Sequence, residues 1–413
     1  MNPMAEKHPR LPHLLLVTPY YWPEIAASVQ LMAALAEGLT EHQIRVTVLT
    51  SSTREPIPAG VVGSGERVGN LRIIRAWNPF SRRGGMFNKL MEFAWFFMTV
   101  AVLGFCVRKV DAIFVSSSPP LAALPVAVLG WVKRAPVIYN LQDLFPESAV
   151  ASGLMNRTGS AFRIFTYLES LCYGSAGLII AINDSFAEHV KGLRPRCNLT
   201  IIPNWVDTAE MAALPKLENR FLPLLPKTNA FIVLYAGNLG YLQNLDLLLD
   251  AAERLKDEED LLFVFVGNGS QKPYLVERVQ SQGMANCVFL DFQPYDMLAH
   301  VYSACDIGVV PMRPGAGTSS IPSKTWNYLA CSRPVIACVE ENSPFAQLVR
   351  ESRSGKVASP VEAEELARAI MEFRRSPGLR EACGEFGRRY VVDHLSQQAA
   401  IDGYAKAIKE ILK

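Results

Sequence analysis

Two successive series of the same rhythm, an apolar strand followed by an amphipathic helix, fill this chain, and a proline-containing break separates them. The first series opens with the apolar run 13–18. A loop rich in Pro and Tyr leads to a helix over 28–41, which sets Leu31, Ala34, Leu35 and Leu39 on one side, and then to a strand over 45–50. Strands over 111–115, 137–140 and 177–181 continue the series. The second series repeats it with runs at 231–235, 262–266, 288–290 and 307–310. A helix over 244–255 there carries Leu245, Leu248, Leu249 and Ala252 at helical spacing. Strands that are apolar throughout must be covered on both faces, which parallel sheets flanked by helices achieve. The sequence therefore predicts open parallel sheets whose ligands lie at the carboxyl ends of the strands.

A chain of 413 residues exceeds one comfortable core, and half of its residues are hydrophobic while 19% are charged. Around 204–230 the period is lost among Pro215, Pro223 and Pro226, as in a linker. The expected fold is α/β: two facing Rossmann-like domains with the active site in the cleft between them. The predicted parts are a first domain at 1–205, a linker at 206–228 and a second domain at 229–392. The terminal segment 393–413 holds a helix over 397–412 with Ile401, Tyr404, Ile408 and Ile411 on one face, expected to pack back across the domain junction.

Charge divides unevenly. Residues 1–205 hold 19 Lys and Arg against 13 Asp and Glu, and the remainder holds 22 against 26. The weakly basic first half suits phosphate-bearing or anionic-membrane partners but carries no nucleic-acid signature. Eight cysteines lack any Cys-x-x-Cys pair, so free thiols in a reducing cytosol are expected and a metal site is not. The N-terminal stretch does not read as a signal peptide. The apolar run 93–107 is 15 residues long, short of the ~20 a bilayer requires, and the run 121–132 is broken by Pro125. Two readings stay open for these runs. They are buried helices, or they form a patch leaning on the membrane with Arg82, Arg83, Lys89, Arg108 and Lys109 at its margins.

Three strand-to-helix turns can meet an anion. Gly237-Asn238-Leu239-Gly240 follows a strand and brings backbone N–H groups close to a ligand, yet it is no GxGxxG fingerprint. Gly267-Asn268-Gly269 serves equally as a chain reversal. In the third, 317–330, small residues lead to Pro322, Ser323 reads as an N-cap, and Lys324 stands in the first turn of a helix. A cation there opposes the helix dipole unless a negative ligand arrives; the alternative is a solvated lysine on an ordinary loop. No Walker-type phosphate loop occurs. In the first half, the loop 140–147 leaves a strand at its carboxyl end with Gln142, Asp143 and Glu147, and Glu24 sits in the loop after the first strand. Helix capping is the plainer role for Asp143 and Glu147.

Six segments, in order, then carry a family likeness: 19–24, 142–147, 203–207, 235–240, 266–269 and 322–330. Together they resemble the retaining GT-B-fold nucleotide-sugar glycosyltransferases of the family 4 type. The likeness is strongest to bacterial enzymes that build colanic acid, O-antigen and other exopolysaccharides, including the N-acetylfucosaminyltransferase type. The resemblance implies transfer of a sugar from a nucleoside diphosphate, UDP before GDP, with retention at the anomeric carbon and without metal or cofactor. It implies a donor held by Gly237, Asn238, Gly240, Gln243, Asn244, Gly267 and Asn268, and by Arg313, Ser319, Ser320, Ser323 and Asn327. Glu24, Gln142 and Glu147 would meet the acceptor, and Asp143 and Lys324 would act in catalysis.

The likeness has gaps. Many relatives place Arg where Asn238 stands and Lys near Gln243 and Asn244, and two Glu where Ser319 and Asn327 stand. Arg313 and Lys324 are then the candidates to compensate leaving-group charge. The implied acceptor is a glycan or an undecaprenyl-diphosphate-linked sugar, with the protein cytoplasmic and peripheral on the inner membrane. Two competitors are an epimerase or phosphorylase, for which six scattered His are a poor set, and an inactive sugar-nucleotide-binding subunit.

Overall fold

The structure, a computed structural model, describes residues 10–22, 27–51, 67–80, 86–151, 155–316 and 321–413. The chain divides into two compact units: Met1–Asn204 with Gln398–Lys413, and Trp205–Gln397.

The first unit runs β1 (His13–Val17), α1 (Ala27–Glu41), β2 (Arg45–Ser51), β3 (Arg67–Val68), β4 (Leu71–Ala76), α2 (Met86–Cys106) and β5 (Ala112–Ser116). It continues with α3 (Ala123–Lys133), β6 (Val137–Leu141), α4 (Glu147–Ala151), α5 (Ser160–Ser175), β7 (Leu178–Ala181), α6 (Asp184–Leu193) and β8 (Leu199–Ile201). The second unit runs β9 (Phe231–Ala236), α7 (Leu245–Arg254), β10 (Leu261–Val266), α8 (Lys272–Ser281), β11 (Cys287–Leu290), α9 (Leu298–Ala304) and β12 (Ile307–Pro311). It ends with α10 (Lys324–Ala330), β13 (Val335–Cys338), α11 (Pro344–Glu351), β14 (Gly355–Ala358), α12 (Ala363–Arg375) and α13 (Pro377–His394). The last helix, α14 (Gln397–Ile411), belongs with the first unit.

The sheet orders are β3-β4-β2-β1-β5-β6-β7-β8 and β11-β10-β9-β12-β13-β14. Every pairing is parallel except the short β3–β4 ladder. In both sheets the chain winds outward from a central strand and then reverses, the doubly wound order whose switch point opens a crevice at the carboxyl edge. That switch lies between β1 and β5 in the first unit and between β9 and β12 in the second.

Alternate residues of β9 show why its run is apolar throughout. Ile232, Leu234 and Ala236 join one core cluster, with Tyr328 and Phe345. Val233 and Tyr235 join the other, with Leu248 and Leu249 of α7 and Ile370 and Phe373 of α12. A side-chain period of two feeds two cores, so both faces of the strand must be apolar. The stretch read as a linker carries Phe221, Leu222 and Leu225 into the first of these clusters. In the first unit α14 lies close enough to α1 that a Cβ on Gly38 would stand 2.4 Å from Ile401 Cδ1. Its Tyr404 hydroxyl reaches Asn140 Oδ1 at 3.1 Å.

Candidate functional site

At the switch point of the second unit, β9 and β12 pair only at their beginnings, Ile307 with Val233 and Gly308 with Leu234. Beyond that the Tyr328 side chain from α10 enters. Its hydroxyl donates to the Leu234 carbonyl at 2.8 Å and accepts from the Ala236 N–H at 3.1 Å. A Cβ on Gly308 would sit 2.5 Å from the Tyr328 ring, so the glycine is what lets the ring lie there. Residues four apart share a helix face. Anchoring Tyr328 therefore also aims Lys324, one turn earlier, at the end of β9.

There the Lys324 ammonium donates to the Tyr235 hydroxyl at 2.6 Å and to Gln243 Oε1 at 3.2 Å, and lies 3.8 Å from the centre of the Tyr235 ring. A Cβ on Gly237 would come within 3.1 Å of the same ammonium. Among the described residues no carboxylate pairs with it, and burial pushes its pKa from 10.5 down to about 7. A buried amine held by neutral acceptors and a ring face, with no anion beside it among the described residues, is the kind of perturbed group found at ligand sites.

Gly237 and Gly267 interlock beneath it. Both have left-handed φ, +137° and +145°, and a Cβ on Gly267 would overlap the Gly237 carbonyl at 1.9 Å. Hydrogen bonds from Gly237 N to Val266 O (2.8 Å) and from Leu239 N to Asn268 O (2.9 Å) join the two loops. Asn268 Oδ1 accepts from Gly269 N at 2.9 Å. Asn238 is exposed, its carbonyl taking the Tyr235 hydroxyl at 2.6 Å, and its side chain crowds Gly240.

The remaining predicted donor residues are distributed as follows. Arg313 stacks on Tyr241, 3.7 Å from the ring centre, donates to the Tyr241 carbonyl at 2.8 Å and faces Asp246 at 3.9 Å. Its charge is already partly answered, unlike that of Lys324. Asn244 has a left-handed φ of +45°, and its amide donates to the Pro360 carbonyl at 2.7 Å, so it stops short of α7 rather than beginning it. Asn327 lies one turn beyond Lys324, half-buried on α10. Ser323 occupies the N-cap position of α10 in helical conformation, without the side-chain cap predicted for it. Thr325 N and Trp326 N bond instead to the Pro322 and Ser323 carbonyls, which starts the turn early. Ser319 and Ser320 lie outside the described residues.

Two residues not singled out from sequence belong to this edge. Tyr235 is the partner of Lys324. Glu340 accepts from Gly315 N at 2.6 Å and keeps its second oxygen buried and unpartnered. The strand-end position of Tyr235 was visible in the sequence but its pairing with Lys324 was not, and nothing local pointed to Glu340.

On the first unit's carboxyl edge, the Ser117 hydroxyl accepts from the N–H groups of Gln142 and Asp143 at 2.9 and 3.0 Å, fixing the turn after β6. The Asp143 side chain is left exposed, and its carboxylate has no partner among the described residues. Gln142 Oε1 accepts from Asn204 at 2.8 Å. Glu147 accepts from Arg157 at 2.7 Å. Glu24 lies outside the described residues.

Behind this edge, buried Glu169 accepts from the Tyr173 hydroxyl at 2.5 Å and faces His189 Nε2 at 3.2 Å, which raises the His189 pKa above its ordinary 6.5 against the opposing effect of burial. A raised histidine pKa adds stability that is complete below the unfolded value and is lost as pH climbs through the folded one. His189→Gln should therefore remove a contribution to stability that falls with rising pH, read as the difference between the wild-type and variant melting curves from about pH 6 to about pH 9. Parallel curves for the two proteins would refute the linkage.

Two doubly wound parallel-sheet units in one chain, each with its polar groups on the carboxyl edge, are the make-up of GT-B glycosyltransferases. The chain belongs to that group: residues 28–205 match the glycosyl transferase 4-like domain and residues 218–390 match glycosyl transferases group 1, which together take in most of its length. It is 24% identical over 310 residues to the probable glycosyltransferase WbjE of Pseudomonas aeruginosa, covering 74% of this chain and 76% of that one. Over 269 residues it is 28% identical to WcaI of Escherichia coli K12, a putative colanic acid biosynthesis glycosyl transferase, covering 62% of this chain and 64% of WcaI. Among solved structures, Anabaena HepE in complex with UDP superposes with a TM-score of 0.72 at 14% identity, covering 97% of this chain and all of HepE, a likeness of fold.

Proposed function

We propose that this protein transfers a sugar from a nucleoside-diphosphate sugar, UDP before GDP, to a glycan or undecaprenyl-diphosphate-linked acceptor, with retention of anomeric configuration. The setting is exopolysaccharide or O-antigen assembly at the cytoplasmic face of the inner membrane. One observation carries the reading: the Lys324 ammonium stands at the switch point of the second unit with no carboxylate paired to it among the described residues. Breaking the sugar–phosphate bond leaves growing negative charge on the diphosphate, and a cation already in place lowers that barrier without reorganising. Gln243, near which many relatives carry Lys, holds the Lys324 ammonium through its side-chain oxygen, so the positive charge reaches the same locality from α10.

In this reading the Gly237 and Gly267 turns let backbone approach the diphosphate, and Asn327 offers a neutral hydrogen bond to the ribose. Asp143, whose exposed carboxylate has no partner among the described residues, orients or deprotonates the acceptor hydroxyl. Attack is on the face the diphosphate leaves, where the departing phosphate helps to take the acceptor's proton, and no metal is required because Lys324 supplies the charge. The glycosyltransferase names of WbjE and WcaI and the UDP bound by HepE support the choice of reaction and nucleotide.

The test is direct binding of UDP and GDP by calorimetry, with release of nucleoside diphosphate followed for a panel of UDP- and GDP-sugars in EDTA. UDP should bind more tightly than GDP, and at least one UDP-sugar should be turned over with the chelator present. If neither nucleotide bound at millimolar concentration, the reading would fail; binding without turnover of any sugar would favour the inactive subunit.

A further inference from the structure

Helix α2 is apolar on nearly every side: between Leu90 and Val107 its only charged residue is Glu92, and that side chain is buried. Phe96 and Val100, four residues apart, pack into the first unit's core. A second stripe, Leu90, Met98, Val102 and Phe105, is 47–64% exposed. A helix that is hydrophobic all round belongs in a core or in lipid, and this one is covered on one side. Helix α3 extends the surface. Leu129 packs against Gly104 of α2, where an added Cβ would meet it at 2.6 Å. The Lys133 ammonium donates to the carbonyls of Phe105 and Val107, clamping the two helix ends together. On the outer side of α3, Val128 and Val132 are about half exposed or more, and Trp131 is 82% exposed. At the same end, Arg108, Lys109 and Arg134 are exposed and have no carboxylate partner among the described residues. Among the described residues no helix is long and apolar enough to cross a membrane.

We infer that the outer faces of α2 and α3 form a docking surface for an anionic lipid bilayer, the helices lying in its interface with Trp131 inserted and the three cations on the headgroups. An exposed tryptophan next to basic residues at the rim of an apolar helix pair is the chemistry of that interface. A second copy of the chain fits less well. A two-fold contact would set this patch against itself and bring unpaired cation onto unpaired cation, whereas anionic headgroups neutralise them. The surface has its purpose in the lipid-linked acceptor proposed above and rests on that reading.

Co-sedimentation with phosphatidylglycerol-containing vesicles and with pure phosphatidylcholine vesicles tests it. The protein should partition onto the anionic vesicles, less at high salt, and little onto the neutral ones. Val102→Glu with Trp131→Glu should lower partitioning about tenfold or more with the melting temperature unchanged, since both side chains are exposed. Lys109→Glu with Arg134→Glu should flatten the salt dependence. No partitioning at low salt would overturn the inference. So would a sedimenting dimer that the Glu pair converts to monomer, because the surface would then be covered by a second copy. UDP binding, measured on the same preparations, keeps the two proposals separable: vesicle binding lost with UDP binding intact removes the docking surface alone.

Discussion

Lys324→Met should lower nucleotide-sugar turnover by about 10²–10³-fold, the ~2–4 kcal/mol that one well-placed charge on a leaving group contributes. The fold should survive the change, because the methionine is of similar length and no carboxylate among the described residues loses a partner. A lysine whose folded pKa lies near 7 and whose unfolded pKa is 10.5 loses its proton first in the folded state. Stability then rises with pH between those values and is flat below them. The methionine variant should lack that rise and melt at or above the wild-type temperature at neutral pH. UDP affinity carries the complementary sign. Above about pH 7 the free site is increasingly neutral, so binding the diphosphate must take up a proton and weakens by up to about tenfold per pH unit. Calorimetry in buffers of different ionisation enthalpy reads that proton directly. Adding Gln243→Lys to the variant should recover part of the lost rate, since Gln243 Oε1 lies 3.2 Å from the ammonium. Turnover of Lys324→Met within about threefold of wild type would remove the role assigned to it.

The second large effect concerns stability. Gly267→Ala forces a Cβ to 1.9 Å from the Gly237 carbonyl oxygen on a backbone with φ of +145°. Strain of about 1–3 kcal/mol for the backbone and a similar overpacking cost give about 2–6 kcal/mol together. That is roughly 5–20 °C in the melting of a unit of this size. Gly283→Ala is the control. Its φ of +63° is also left-handed, but nothing lies within 4 Å of the added atom, so about 1–2 kcal/mol is expected. Equal losses for the two would mean that backbone conformation alone, and not the interlock of the two glycine loops, decides the cost.

The doubly wound architecture was legible because each central strand serves two cores. The alternation of Ile232, Leu234 and Ala236 against Val233 and Tyr235 leaves no polar face, and that absence is itself the signal. Lys324 was legible as a cation set against a helix dipole. Its partner was not: Tyr235 lies 89 residues away, and only the switch between β9 and β12 brings them together. For α2 the sequence left two readings because both of its stripes are apolar; burial separates Phe96 and Val100 from Met98 and Val102. Ser323 had the composition of an N-cap but lies within a turn begun by Pro322. Asn244, read as the start of a helix, is kept out of it by a left-handed backbone and the Pro360 carbonyl.

The pairing of α14 with the first unit bears on biosynthesis. Residues 1–204 leave the ribosome long before Gln398–Lys413, and the second unit is synthesised in between. Until α14 emerges, the face of α1 that receives Ile401 at Gly38 and the Asn140 oxygen that receives Tyr404 wait without their cover. The first unit is thus completed last, and a fragment ending at residue 204 would lack part of its own core. Any separately expressed version of it needs the sixteen terminal residues grafted back.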